Sequence, residues 1–193
     1  MSVDSPPRRM TVDEFLSLRD RRDVERMLIR GELWERKMTY RNPWHSTVLA
    51  QITFFLQQWN RTQQAFQGFV VAGDAGFRIK GRADSVVGID AAIVLKQTPL
   101  YRYGGKVVFD GPPILAVEIL SPSDRQKDIE TKVDIYLGAN VPLVWIIAPH
   151  QRTVTVYRPD AEPELFAQSA TLTGEPHLPG LSIPVSELFA ADL

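Results

Sequence analysis

Two acids stand inside apolar runs. Asp90 interrupts Val86-Val87-Gly88-Ile89-Asp90-Ala91-Ala92-Ile93-Val94-Leu95, and Glu118 interrupts Ile114-Leu115-Ala116-Val117-Glu118-Ile119-Leu120. Apolar runs of this length, bounded by turn residues, read as buried strands. A carboxylate in the middle of such a strand is costly unless a cation or several hydrogen bonds satisfy it. A chain with two of them must fold so that both acids meet partners.

Strand side chains alternate faces with period two. Val86, Gly88, Asp90, Ala92 and Val94 therefore share a face, opposite the bulkier Val87, Ile89, Ala91, Ile93 and Leu95. Ala116 and Leu120 flank Glu118 on its face. Each acid thus has a small residue two positions away, which favours a cavity beside the carboxylates over a plugged core. A hard cation such as Mg²⁺ takes oxygen ligands and keeps several waters, so one or two carboxylates suffice. The carbonyl of Ile119 could add an oxygen. Such an ion polarises a phosphoryl oxygen and lowers the pKa of an attacking water.

Ser121-Pro122-Ser123-Asp124 breaks the second strand and predicts a helix over 125–137, ended by Gly138 and Asn140. Asp128, Lys132 and Tyr136 recur at i,i+4 on one side of it, beside a stripe of Ile129, Val133 and Leu137. Lys132 therefore lies at the edge of the core-facing side, where it could reach the acids. There it could orient a nucleophilic water or stabilise charge on a phosphate in the transition state. Each of these residues also has a plainer reading. An i,i+4 Asp–Lys pair is ordinarily a surface salt bridge, a strand acid ordinarily lies on an exposed edge, and a helix-flank histidine such as His45 is ordinarily structural.

The remaining organisation is that of one globular domain. The chain has 193 residues, 44% hydrophobic and 23% charged, enough for a sizeable core. It has no cysteine, which excludes disulfides and zinc–thiolate sites. No run approaches the roughly 18 apolar residues of a membrane span. Residues 1–10 read as a disordered leader without the apolar core of a signal peptide, and 11–193 as the domain, with a cytoplasmic location as the default. The net charge of −1 does not advertise a nucleic-acid partner, and it leaves room for a locally basic groove. The arginines of residues 19–41 are interleaved with acids and read as a solvated, charge-mixed surface.

Thr11-Val12-Asp13-Glu14 has capping-box spacing and predicts a short helix to Leu18. A hairpin follows over 26–38, turning at Arg30-Gly31. Asn42-Pro43 opens a helix to about Asn60, with Trp44, Val48, Ile52, Phe55, Leu56 and Trp59 on its core face and His45 beside it. Residues 67–80 read as strands around a tight turn at Gly73-Asp74-Ala75-Gly76, 96–113 as a loop, 143–148 as a buried strand and 153–158 as an exposed alternating one. The proline-rich tail predicts a short helix at 186–190.

Several stretches together resemble the Uma-two family of the PD-(D/E)XK nuclease superfamily. They are Leu28-Ile29-Arg30-Gly31-Glu32-Leu33; His45 at the start of a long helix; Gly88-Ile89-Asp90; Val117-Glu118-Ile119-Leu120-Ser121-Pro122-Ser123-Asp124; Asp128, Lys132 and Tyr136; residues 141–149; and Thr153-Val154-Thr155-Val156-Tyr157. The resemblance spans residues 11–160. It implies an α/β restriction-endonuclease-like core, a mixed β-sheet flanked by helices with an N-terminal hairpin. It also implies Mg²⁺ (or Mn²⁺) dependence and DNA as substrate, with a homodimer expected by analogy. The superfamily's acids fall on Asp90 and Glu118. The sequence departs from the pattern at three places. Ile89 replaces the proline before the aspartate. Leu120 stands where the lysine should be, which makes Lys132 the candidate. Met27 stands where relatives commonly have a glutamate. His45 takes the place of a helix glutamate in related nucleases, and Asp128 or Tyr136 would orient Lys132. The competing expectations are a non-catalytic DNA-binding or interaction module on the same fold, and a hydrolase of another phosphoester.

Overall fold

A computed structural model describes residues 9–21, 23–37, 42–81, 83–122 and 124–189. The leader expected over residues 1–10 falls mostly outside them. The order is α1 (Val12–Leu16), β1 (Val24–Ile29), β2 (Glu32–Lys37), α2 (Pro43–Thr62), β3 (Gly68–Ile79), β4 (Ser85–Leu95), β5 (Leu100–Tyr103) and β6 (Lys106–Asp110). Then come β7 (Leu115–Ile119), α3 (Gln126–Gly138), β8 (Leu143–Ala148), β9 (Thr153–Tyr157), β10 (Glu164–Phe166), β11 (Thr171–Gly174), β12 (Leu178–Pro184) and α4 (Val185–Leu188).

One mixed sheet runs in the order β10-β9-β8-β7-β4-β3-β6-β5, with the β1–β2 hairpin joined to β4. The β7–β8 and β3–β6 pairs are parallel and the others antiparallel. Helix α2 covers one face. Its Val48, Ile52, Leu56 and Trp59 pack with Ile93, Val117 and Trp145, and the β11–β12 hairpin and α4 extend the same core. Helix α3 covers the other face through Val133, Ile135 and Tyr136, against Ala92, Ala116 and Val144. A third cluster seats α1 on Leu28, Val86 and Val108. The α2 start is as expected: Asn42 accepts the Trp44 N–H at 2.9 Å, and Pro43 opens the helix. So is the capping box of α1.

Three segments differ from the sequence expectation. Residues 67–80 form one continuous strand, because β4 is long enough to pair with both halves. The Gly73-Asp74 signal marks a bulge between Ala72 and Ala75, with both residues at positive φ, rather than a turn. The 96–113 loop contains the β5–β6 hairpin around Gly104-Gly105, both at positive φ, as a two-residue hairpin turn requires. The tail carries β10 and the β11–β12 hairpin, whose Leu172, Leu178 and Ile183 are fully buried. Strand β9 is alternating, but its Val154 and Val156 are buried.

The edges of β4 decide where a cleft can open. A strand has two edges, and β3 occupies one of them along the whole of β4. The other edge is shared. It pairs with β7 over Ala91–Ile93 and with β1 only at Val86. Between those contacts, at Val87–Asp90, β7 and the N-terminal hairpin diverge and leave a gap beneath α3.

Candidate active site

Asp90 sits at the point of divergence. The β4–β7 ladder ends at Ala91–Val117, and just beyond it the Asp90 Oδ2 accepts the Ile119 N–H at 2.8 Å. The side chain thus replaces the backbone partner that β7 loses there. The other oxygen, Oδ1, lies 3.2 Å from His45 Nε2, an ion-pair distance outside hydrogen-bond alignment. His45 is buried on the first turn of α2, so that helix, packed on the far face, still reaches the site.

Glu118 is buried next to it, and both of its oxygens are taken by α3. Lys132 Nζ donates to Oε2 at 2.7 Å, and the Tyr136 hydroxyl donates to Oε1 at 2.5 Å. Lys132 also donates to the Gly88 carbonyl at 3.1 Å, which ties α3 to β4. The i,i+4 spacing of Lys132 and Tyr136 is what delivers two donors to one carboxylate. Asp128, one turn earlier, lines the cavity, and its carboxylate makes no hydrogen bond or ion pair among the described residues.

Burial alone would raise the Asp90 carboxyl. The His45 ring, the Ile119 N–H and the Lys132 charge outweigh it and hold Asp90 below the usual carboxylate range. Glu118 goes the other way: burial, aided by the Asp90 charge, raises it against the pull of Lys132 and Tyr136. Burial pulls Lys132 down, but the carboxylate of Glu118 outweighs it and keeps the amine charged. Burial and the Glu118 charge push Tyr136 well up, so it stays a neutral donor. Tyr136→Phe should leave one buried Glu118 oxygen without its donor and cost about 1–3 kcal/mol in urea unfolding, with the fold retained.

The acids open onto a cavity of about 50 Å³. Its walls come from β1 and β2 (Glu25, Met27, Trp34, Arg36), the bulge (Asp74), β7 (Glu118, Ile119), α3 (Asp128, Ile129, Lys132), Asp124 and Ile146. At roughly 10–15 Å³ per water, that space holds a few waters or a partly hydrated ion. The small residues expected to make this space do not line it. Ala92 and Ala116 are fully buried in the α3 core, and Gly88 lies against Asp74 of the bulge, where an added Cβ would meet it at an ordinary contact distance of 3.5 Å. The two alanines let α3 approach the sheet closely; the cavity comes from the diverging strands.

The donor set suits a hard cation. Asp90 and Glu118 offer carboxylate oxygens side by side, and Ile119 lines the same cavity. No group of three or more His, Cys, Asp or Glu side chains converges to hold a metal among the described residues, so waters would complete the coordination. Sequence reasoning did not find Glu25, Arg36, Asp74 and Asp124. The arginine-rich hairpin reads as solvated surface, yet Arg36 is half-buried on the cavity wall. Met27 lines the cavity without a charge, and Glu25, two residues earlier on the same strand face, brings an acid there instead. The only signal was that period-two relation.

A mixed sheet clasped by helices on both faces, with acids and a lysine meeting where two strands part, defines a restriction-endonuclease-like fold. The chain belongs to the Uma2 family, whose model, described as "Putative restriction endonuclease", matches residues 12–186. Its structure is similar to the crystal structure of "a putative nuclease belonging to DUF820" from Anabaena variabilis, with a TM-score of 0.77 and 21% identity. That match covers 94% of this chain and 98% of the other, and at this identity it shows the fold. No match is found among curated proteins. No described helix is long and apolar enough to cross a membrane.

Proposed function

We propose that this chain is a divalent-metal-dependent DNA endonuclease, with Asp90 and Glu118 holding Mg²⁺ or Mn²⁺ together with the Ile119 carbonyl and waters. The observation that carries the reading is the convergence of Asp90, Glu118 and Lys132 from two strands and a helix on one small cavity. The charge of the cavity supports it. Among the described residues that line it, six carboxylates (Glu25, Asp74, Asp90, Glu118, Asp124, Asp128) stand beside two cations, Arg36 and Lys132. Fully ionised, such a wall repels a phosphodiester unless a cation offsets it. When bound, the ion supplies Lewis-acid polarisation of a phosphoryl oxygen and an acidified water.

The protein's own groups have distinct tasks in this reading. Asp90, held ionised, is the permanent ligand. His45 and the Ile119 N–H fix its orientation. Tyr136 holds Glu118 from behind. Lys132 carries a fixed positive charge at the inner wall, where it stabilises charge developing on the phosphate. The space beside the acids is of the size of a few waters or a hydrated ion, which suits hydrolysis of a backbone linkage. Two copies acting together, one per strand, would make a double-strand cut, and the oligomeric state in solution tests that part.

The direct experiment is incubation of supercoiled plasmid with the protein and Mg²⁺ or Mn²⁺, beside Asp90→Asn and Lys132→Met. Nicking by the wild type alone is expected; no nicking by the wild type, or equal nicking by the variants, sinks the reading. One observation favours a second reading, a non-catalytic DNA-binding or interaction module. Both Glu118 oxygens and one Asp90 oxygen are already satisfied within the protein. Calorimetric titration with Mn²⁺ separates the two, since a module needs no ion at this site.

A further inference from the structure

Arg36 is the second cation of the cavity, and it is held differently from Lys132. Lys132 is 18% exposed and tied to Glu118 and the Gly88 carbonyl on the inner wall. Arg36 comes from β2 at the hairpin side, and its side chain is 31% exposed. Its Nη1 donates to Asp124 Oδ1 at 2.5 Å and its Nη2 to Glu25 Oε2 at 2.9 Å. Its guanidinium also lies 5.5 Å from the centre of the Trp34 ring. Asp124 is itself anchored, accepting the Ser121 N–H at 2.7 Å just after the Glu118 strand. A flexible side chain is thus fixed from two sides at the cavity wall. A guanidinium has five N–H donors in a rigid fork. The two carboxylates account for one bond each, and the other three N–H groups make no hydrogen bond with a described residue.

We propose that Arg36 binds a backbone phosphate of the nucleic-acid substrate at the mouth of the cleft, with Glu25 and Asp124 preorganising its guanidinium. The inference rests on the nuclease reading above. It follows from where charge is needed: Lys132 is tied to Glu118 and the Gly88 carbonyl beside the acids, so a backbone phosphate nearer the opening calls for a second cation. Of the two cations among the described residues that line the cavity, Arg36 is the more exposed, at 31% against 18% for Lys132. A fork held in place loses little entropy on binding, which suits recognition of a planar pair of phosphate oxygens. Arg36 is a substrate-binding residue here, acting on KM more than on kcat, and Glu25 and Asp124 are the positioning residues.

The alternative is that the Glu25–Arg36–Asp124 cluster merely latches the hairpin to the loop after β7. Salt dependence separates them. Each phosphate contact contributes about 0.9 to the slope of log affinity against log salt on duplex DNA. Binding of a labelled 20-base-pair duplex would be measured by anisotropy across a KCl series, with Ca²⁺ held constant. Arg36→Gln should weaken binding about tenfold and lower the slope by about 0.9. Arg36→Lys keeps the charge but not the fork, so it should keep the slope and bind a few-fold more weakly. Glu25→Gln breaks the same cluster but removes no phosphate contact, so its slope should equal that of the wild type. An unchanged slope in Arg36→Gln, or an equal loss of slope in Glu25→Gln, overturns the proposal. If Arg36→Gln does not fold, Arg36→Lys decides, and wild-type affinity in that variant overturns it. Failure of this proposal alone leaves wild-type duplex binding and plasmid nicking intact. Absence of both in the wild type brings down the nuclease reading as well.

Discussion

Lys132→Met is expected to lower plasmid nicking by at least about 100-fold, and at the same time to make the metal-free protein markedly less stable. The two effects share a cause. Lys132 is the cation that neutralises buried Glu118, 2.7 Å away. Methionine keeps the length and apolar stem but leaves a buried carboxylate with only the Tyr136 hydroxyl. Removing one partner of a buried ion pair typically costs about 3–5 kcal/mol. Without Lys132, Glu118 should rise further and bind a proton instead. The activity loss follows from the missing fixed charge beside the phosphate, a contribution of about 100- to 1000-fold where single stabilising donors have been removed. A metal ion would compensate for part of the stability loss but not for the lost charge on the phosphate. Thermal melting in EDTA and in Mn²⁺ tests this: the deficit of Lys132→Met should shrink with Mn²⁺ while nicking stays low. A variant with unaltered stability in EDTA would show that the pair is worth little and that Glu118 is protonated in the native protein.

Asp90→Asn should abolish nicking and weaken Mn²⁺ binding by more than 100-fold, since loss of outer-shell partners alone typically costs 10–100-fold. The variant is nearly isosteric. Its amide oxygen can still accept the Ile119 N–H, so the end of the β4–β7 ladder survives. What disappears is the negative charge. Asp90 is the acid the environment keeps ionised, whereas burial and the neighbouring charge raise Glu118. In the proposed site Asp90 is the readier ligand for a cation, and its loss should be felt more than that of Glu118 in Mn²⁺ binding. Calorimetry with Mn²⁺ reads this directly. Wild-type affinity in Asp90→Asn would place the ion elsewhere.

The outline of both sites of contact was legible in the chain because it depended on local rules. Asn42-Pro43 caps α2 as its composition demands, and the periodicity of α2 names its buried face from Val48 to Trp59, whereas Trp44, expected on that face, is exposed and His45 beside it is buried. The apolar runs around Asp90 and Glu118 are the central strands. Lys132 and Tyr136 lie one turn apart, so both reach the same carboxylate. Local rules failed where the same signal serves two geometries. Gly-Asp at 73–74 suits a turn or a bulge, and only the length of the paired β4 chose the bulge. The weakly patterned 100–110 segment was resolved by a sheet edge on β3. Arg36 looks like any surface arginine until Asp124, far along the chain, comes to lie against it.

The sequence by itself determined that two acids must be buried in adjacent elements and met by donors, because an unpaired carboxylate in an apolar strand is too costly to keep. It determined the lysine and tyrosine that could meet them, through helical spacing. Only the tertiary structure decided where the space is. The cavity comes from β4 handing one edge from β7 to the N-terminal hairpin, not from the small residues beside the acids, which serve instead to let α3 pack closely. Edge sharing is a property of the assembled sheet. It has no signature in any single segment, and it is what brings Arg36, Glu25 and Asp124 to the cavity that holds Asp90 and Glu118.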